Sequence, residues 1–255
     1  ASDVYKRQFL QSIIMKKTMN KKVLVTGASK GIGKSIAKVL SNEGYQVYIC
    51  ARNEEILKNT AAQINASGYF VCDLINDNDV FELMQNNFDI LINNAGDYVY
   101  SPVEKTTDED ITRLIKLNVE APYKLIKLAV PYMKEQHWGR IVNIGSISGI
   151  VGEANASLYS MTKSAFTGFS KALALELAQD NITVNTINPG WVETELAQDA
   201  VEKSDFSYDE EIEMIPQKRF ICPDEIANLV KYMVSDEAKG MTGQSVSLCA
   251  GLSAG

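Results

Sequence analysis

Short apolar, β-rich runs alternate with helical periodicity along most of this chain, and that alternation is what most narrows the fold. KKVLVTG is followed by Ile32, Ile36, Ala37 and Leu40 at helical spacing, then by the strand-like YQVYICA. A polar helical stretch from Asn53, the run YFVCD, a helix from about Asn76 and the run DILINNAG come next. A long helical region over roughly 107–136 leads to RIVNIGS, a helix over 156–179, NITVNTINPG, a helix over 223–235 and a closing QSVSLCAG. Seven such runs separated by helices predict an α/β fold: one doubly wound, Rossmann-type domain. The runs are almost continuously apolar, as strands are when helices cover both faces of a parallel sheet. Residues 21–255 show no repeat, low-complexity segment or linker, so they read as a single domain with a lid at about 190–220. Residues 1–20 hold the short apolar stretch Phe9–Met15, interrupted by Gln11 and Ser12 and lacking a small-residue cleavage site, and read as a leader outside the fold.

The composition excludes several functions. A net charge of −7 and a pI near 4.9 disfavour a nucleic-acid partner. No apolar run approaches the roughly 20 residues that span a bilayer. Cys50, Cys72, Cys222 and Cys249 lack CxxC spacing, and His137 is the only histidine, so no metal site is expected. The cysteines fit buried, reduced thiols in a cytoplasmic protein, and His137, in EQHWGR, reads as a surface turn residue.

Two patterns carry chemistry. TGASKGIG follows the first strand and opens a helix, placing Gly27, Gly31 and Gly33 where the chain must turn tightly and admit a pyrophosphate to the helix N-terminus. In YSMTK, Tyr159 and Lys163 stand at i and i+4, one turn apart on one helix face. A free phenol has a pKa near 10, and a neighbouring cation is expected to draw it toward working pH, producing a proton-transfer group for an alcohol or ketone.

Together the motifs resemble the short-chain dehydrogenase/reductase family over about residues 21–251, in its branch of roughly 250-residue oxidoreductases. TGASKGIG is similar to the family's cofactor turn, which implies contacts from Gly27, Ser29, Lys30, Gly31, Ile32 and Gly33. The run Asn93–Gly96 is similar to its fourth-strand motif, implicating Asn94, Ala95 and Gly96. The run Asn188–Thr194 is similar to its nicotinamide segment, implicating Pro189, Gly190, Val192 and Thr194. Asn118, Ser146, Tyr159 and Lys163 match its catalytic four at the usual spacing. The resemblance implies hydride transfer at a carbonyl carbon, with Tyr159 exchanging the proton. Lys163 would favour the tyrosinate and bind the nicotinamide ribose, Ser146 would polarise the carbonyl, and Asn118 would hold a water that links Lys163 to solvent. Asp73 is expected to bond the adenine.

NADP(H) is expected over NAD(H). An NAD-preferring member places an acid at the end of the second strand, whereas here Ala51 stands there, Arg52 follows and Lys30 lies in the glycine turn. The pattern is also similar to bacterial 3-oxoacyl-carrier-protein reductases, but their docking arginines have no counterpart: Gln136, His137 and Leu175 occupy those positions. A 3-oxoacyl thioester or similar partly apolar carbonyl is therefore the expected substrate. A hydroxy acid, a small cyclic alcohol or a non-catalytic dinucleotide-sensing role remain alternatives. Ile147, Ile150 and Val151 after Ser146, and Trp191, Leu196, Phe206 and Met214 after Gly190, are the apolar pocket candidates. A homo-oligomer is expected because Ser164, Gly168 and Ala172 form a small-residue stripe on the helix from Ala156, a helix apolar or small on most faces.

Overall fold

The computed structural model of the chain describes residues 21–203 and 207–254; the expected leader and Phe206 lie outside the described residues. Seven strands form one all-parallel sheet in the order β3-β2-β1-β4-β5-β6-β7. They are β1 (Lys22–Thr26), β2 (Gln46–Ala51), β3 (Gly68–Val71), β4 (Ile90–Asn93), β5 (Gly139–Ile144), β6 (Ile182–Pro189) and β7 (Ser245–Leu248). The helices between them are α1 (Gly31–Asn42), α2 (Glu54–Gln63), α3 (Asp77–Met84), α4 (Asp108–Ile115), α5 (Ala121–Glu135), α6 (Ser148–Val151), α7 (Ser157–Leu177), α8 (Glu195–Lys203), α9 (Tyr208–Met214) and α10 (Pro223–Val234).

Period-two alternation divides the core. Val23 and Val25 face α1 and α10 with Ile36, Leu40 and Val230. Leu24 faces the opposite layer with Leu91, Leu125, Met133 and Ile141. Covering both faces explains why the strands read as unbroken apolar runs. The strand order reverses between β1 and β4, so the crevice beyond their carboxyl ends is where an open α/β sheet receives a ligand.

The structure departs from the sequence expectation in three places. The helical stretch over 107–136 is two helices joined by a π-turn at Lys116–Glu120. A single-turn helix, α6, follows Ser146. The lid contains two helices, α8 and α9, where no element was expected. Helix α9 starts at a capping box in which Ser207 and Glu210 satisfy each other's backbone N–H groups.

Candidate active site

The switch-point crevice begins at the glycine turn. Gly27 and Gly31 sit at φ +63° and +56°, where a side chain would be strained. Gly33 is needed for packing: a Cβ there would lie 2.5 Å from Asn94 Nδ2 and 2.6 Å from the Gly27 carbonyl. Asn94 staples the turn, its Nδ2 donating to the carbonyls of Thr26 (2.8 Å) and Gly27 (3.1 Å). Thr26 Oγ accepts from the amides of Asn94 and Ala95, both at 3.0 Å, and so joins β1 to β4. Helix α1 then starts without a side-chain cap and without an acid in its first turn. Its orphan amides and positive end suit an anion. This acid-free cradle fits the phosphates of a dinucleotide.

Deeper in, four side chains approach the ends of β4 and β5. Lys163 is 5 % exposed. Its Nζ donates to the Ile144 carbonyl at 2.9 Å, leaving two of the three ammonium protons for a ligand hydroxyl. Asn118 is buried in the π-turn. Its Nδ2 donates to the Asp97 carbonyl (2.9 Å) and to Thr162 Oγ (3.1 Å), and its Oδ1 accepts from the Asp97 amide (2.9 Å). A Cβ on Gly96 would lie 3.3 Å from both Asn118 Oδ1 and Lys163 Nζ, so Gly96 keeps the space between them open. Ser146 Oγ donates to Ser148 Oγ and accepts from the Ser148 amide, both at 3.1 Å.

The electrostatics differ from the expectation for an isolated YxxxK. Burial raises the Tyr159 hydroxyl to about 12; its hydrogen bond with Ser146 opposes this and the Glu153 charge adds to it. Burial lowers Lys163 to about 8. Lys163 Nζ is 5.7 Å from the Tyr159 ring centroid and turned to the Ile144 carbonyl, so its charge does not cancel the desolvation of the phenol. Burial thus favours the neutral phenol at Tyr159, against the expectation that Lys163 would draw its pKa toward working pH.

A cavity of about 360 Å³ opens in front of Ser146 and Tyr159, within the range of small-molecule sites. Of the apolar candidates, Ile147, Val151, Trp191 and Leu196 line it. Ile150 and Met214 instead face outward, 46 % and 50 % exposed. Ile32, Pro189, Gly190, Val192 and Thr194 also line the cavity, on the side of the glycine turn. Trp191 stacks on Phe220 at 5.6 Å, joining the two ends of the lid, and Phe220 is buried in the core.

The remaining expected cofactor residues are peripheral. Lys30 pairs with Glu195 at 2.5 Å, both exposed. Arg52, just beyond β2, is exposed and makes no ion pair among the described residues. The Ser29 carbonyl accepts from Thr60 Oγ at 2.9 Å. Asp73 stands just beyond β3 and accepts from the Ile75 amide at 3.3 Å, bending the chain there.

Sequence reasoning missed the acidic and tyrosyl wall of the cavity, formed by Tyr98, Tyr100, Glu153 and Glu211. Tyr98 OH donates to Glu153 at 2.5 Å, and its ring meets Tyr159 edge-on at 4.9 Å. Glu153 lies within the loop already expected to shape the pocket, and its charge was the available signal. Tyr98 and Glu211 reach the site through loop and lid geometry that periodicity does not report.

The family model described as short chain dehydrogenase matches residues 21–205. An uncharacterized oxidoreductase of Bacillus subtilis is 36 % identical over 92 % of this chain and 100 % of the relative. A 3-oxoacyl-acyl-carrier-protein reductase of Buchnera aphidicola is 35 % identical over 92 % of this chain and 98 % of its own. A crystal structure of a variant actinorhodin polyketide ketoreductase with NADPH superposes with a TM-score of 0.88 at 34 % identity, covering 91 % of this chain and 97 % of that one.

Proposed function

This chain belongs to the short-chain dehydrogenase/reductase family of oxidoreductases, and from that premise we propose that it reduces a partly apolar ketone to a secondary alcohol with NADPH. The observation that carries the reading is the meeting of Ser146, Tyr159 and Lys163 between a substrate-sized cavity and an uncapped, acid-free helix N-terminus. NADPH in the similar ketoreductase structure supports the cofactor.

The first turn of α1 holds the pyrophosphate, with Gly27, Gly31 and Gly33 giving the backbone its close approach. Lys30 and Arg52 recognise the 2′-phosphate. Lys30 must exchange Glu195 for it, and the energies allow this. An exposed ion pair contributes about 0–1 kcal/mol, while a charge-assisted hydrogen bond to phosphate is worth about 1.5–3 kcal/mol. When bound, NADPH supplies the hydride to the carbonyl carbon. Ser146 turns its hydroxyl from Ser148 to the carbonyl oxygen and steadies the charge that develops there. Tyr159 gives that oxygen its proton. Lys163 binds the ribose hydroxyls, and its ammonium charge compensates the phenolate that remains. Asn118 holds the π-turn and the Asp97 loop around Lys163, and the water relay to solvent is assigned to this same corner. Asp73 meets the adenine edge at the rim.

The cavity favours a compact carbonyl or the reactive end of a 3-oxoacyl thioester. Gln136, His137 and Leu175, in place of docking arginines, disfavour an acidic carrier protein as the delivery vehicle. We also read the protein as cytoplasmic, with Cys50, Cys72 and Cys249 buried and free of disulfides, although Cys222, expected to be buried, is exposed at the start of α10, and as a homo-oligomer through α7. No helix among the described residues is long and apolar enough to cross a membrane. The test is NADPH oxidation with a panel of ketones and 3-oxoacyl thioesters. Turnover of at least one class is expected. NADPH binding without turnover of any would favour a dinucleotide sensor instead.

A further inference from the structure

The charges that line the substrate cavity have one sign. Among the described residues, its only ionisable lining groups besides the tyrosines are Glu153 and Glu211, and no lysine or arginine faces it. Glu153 accepts from Tyr98 OH at 2.5 Å and from Ser148 Oγ at 2.6 Å. Ser148 in turn accepts from the catalytic Ser146, so Glu153 is two hydrogen bonds from the group that must steady a developing oxyanion. Glu211 enters from α9 on the lid and is only 7 % exposed. Burial is the larger cause raising its carboxyl above the usual carboxylate range, and the Glu153 charge adds to it, against a hydrogen bond from Trp191.

A second negative charge beside a reaction that builds negative charge on oxygen opposes that reaction. Two carboxylates facing one confined cavity also oppose each other. A substrate that brings a positive charge relieves both. The wall suits such a group: Tyr98, Tyr100 and Trp191 contribute aromatic faces or edges, and each carboxylate keeps lone pairs beyond those already used. We propose that Glu153 and Glu211 are the specificity-determining residues of this cavity and select a carbonyl substrate that carries an ammonium group on the side away from the nicotinamide. The inference rests on the carbonyl-reductase reading above, and names the substrate class within it. An anionic keto acid would meet both carboxylates without a counter-charge and is excluded.

The test separates recognition from turnover. Binding of phenethylamine, 2-phenylethanol and phenylacetate to the full chain saturated with NADPH is measured by calorimetry at neutral pH. The amine, protonated there, is expected to bind at least about tenfold tighter than the alcohol, with the carboxylate weakest. Glu153→Gln and Glu211→Gln are each expected to cut the amine's advantage at least about threefold while 2-phenylethanol binding stays within about twofold. NADPH affinity and circular dichroism check that both variants are folded. Phenylacetate binding tightest, the alcohol matching the amine, or an amine advantage that survives both substitutions would overturn the proposal. A failure to turn over any ketone would overturn the carbonyl-reductase reading instead, and would leave the binding order to be judged on its own.

Discussion

At the residue scale, the proposed mechanism makes Lys163 the group that sets the pH dependence. Its ammonium, lowered to about 8 by burial, is charged below that pH and neutral above it. Tyr159, raised to about 12, remains protonated throughout. The kcat/KM for ketone reduction should therefore fall as pH rises through about 8, because the charge that compensates the nascent phenolate is lost. Lys163→Arg, which does not titrate in this range, should move that descending limb to higher pH; a limb unchanged in the variant would assign it to another group. At the other end of the cofactor, the proposed function gives the 2′-phosphate preference to Lys30 and Arg52. Lys30→Ala with Arg52→Ala should cost about 2–3 kcal/mol of that recognition, roughly 30- to 150-fold in the NADPH/NADH ratio of kcat/KM. A wild type that prefers NADH, or a ratio unchanged in the double variant, would contradict the assignment. These residues were legible because their spacing and charge appear in the chain itself. The pKa of Tyr159 was not: the i, i+4 spacing shows a cation nearby but neither the desolvation nor Glu153.

Elements place those residues, and the π-turn is the clearest case. It turns Asn118 inward, where both ends of its amide bind the Asp97 backbone. Asn118→Ala leaves buried partners unsatisfied, which costs about 1–3 kcal/mol for each orphaned group. The melting temperature should fall by several degrees, about 2–4 °C per kcal/mol for a chain of this size. A variant with unchanged melting temperature would show that Asn118 does not hold this loop. The strand and helix assignments were readable because apolar content changes period between them. The π-turn was not, since one extra residue in a helical repeat barely disturbs the pattern. The lid helices α8 and α9 are short and acidic, and they are revealed by the packing of Ala197, Val201 and Ile212 on the core.

At the scale of the whole molecule, the parallel sheet opens a crevice at the β1/β4 reversal, and α7 presents Tyr159 and Lys163 to the candidate site on one face. Its opposite face is uncovered. Ser164, Gly168 and Ala172 lie exposed, Leu175 is 84 % exposed, and nothing lies within 4 Å of a Cβ built on Gly168. Ser164 touches α6, its hydroxyl donating to the Gly149 carbonyl at 2.7 Å, but Gly168 and Ala172 stay exposed, and a second copy is the proposed cover. Light scattering should give a multiple of 28.1 kDa, and Leu175→Arg should lower it; a wild type of only that mass at micromolar concentration would contradict the assembly. The proposed function assigns the proton transfer to Tyr159, and its removal is the most direct test. Tyr159→Phe should retain the fold and NADPH affinity while kcat for ketone reduction falls about 10²–10⁴-fold. A variant that kept more than about half of the wild-type kcat would contradict the account, since general acid–base groups contribute far more than that.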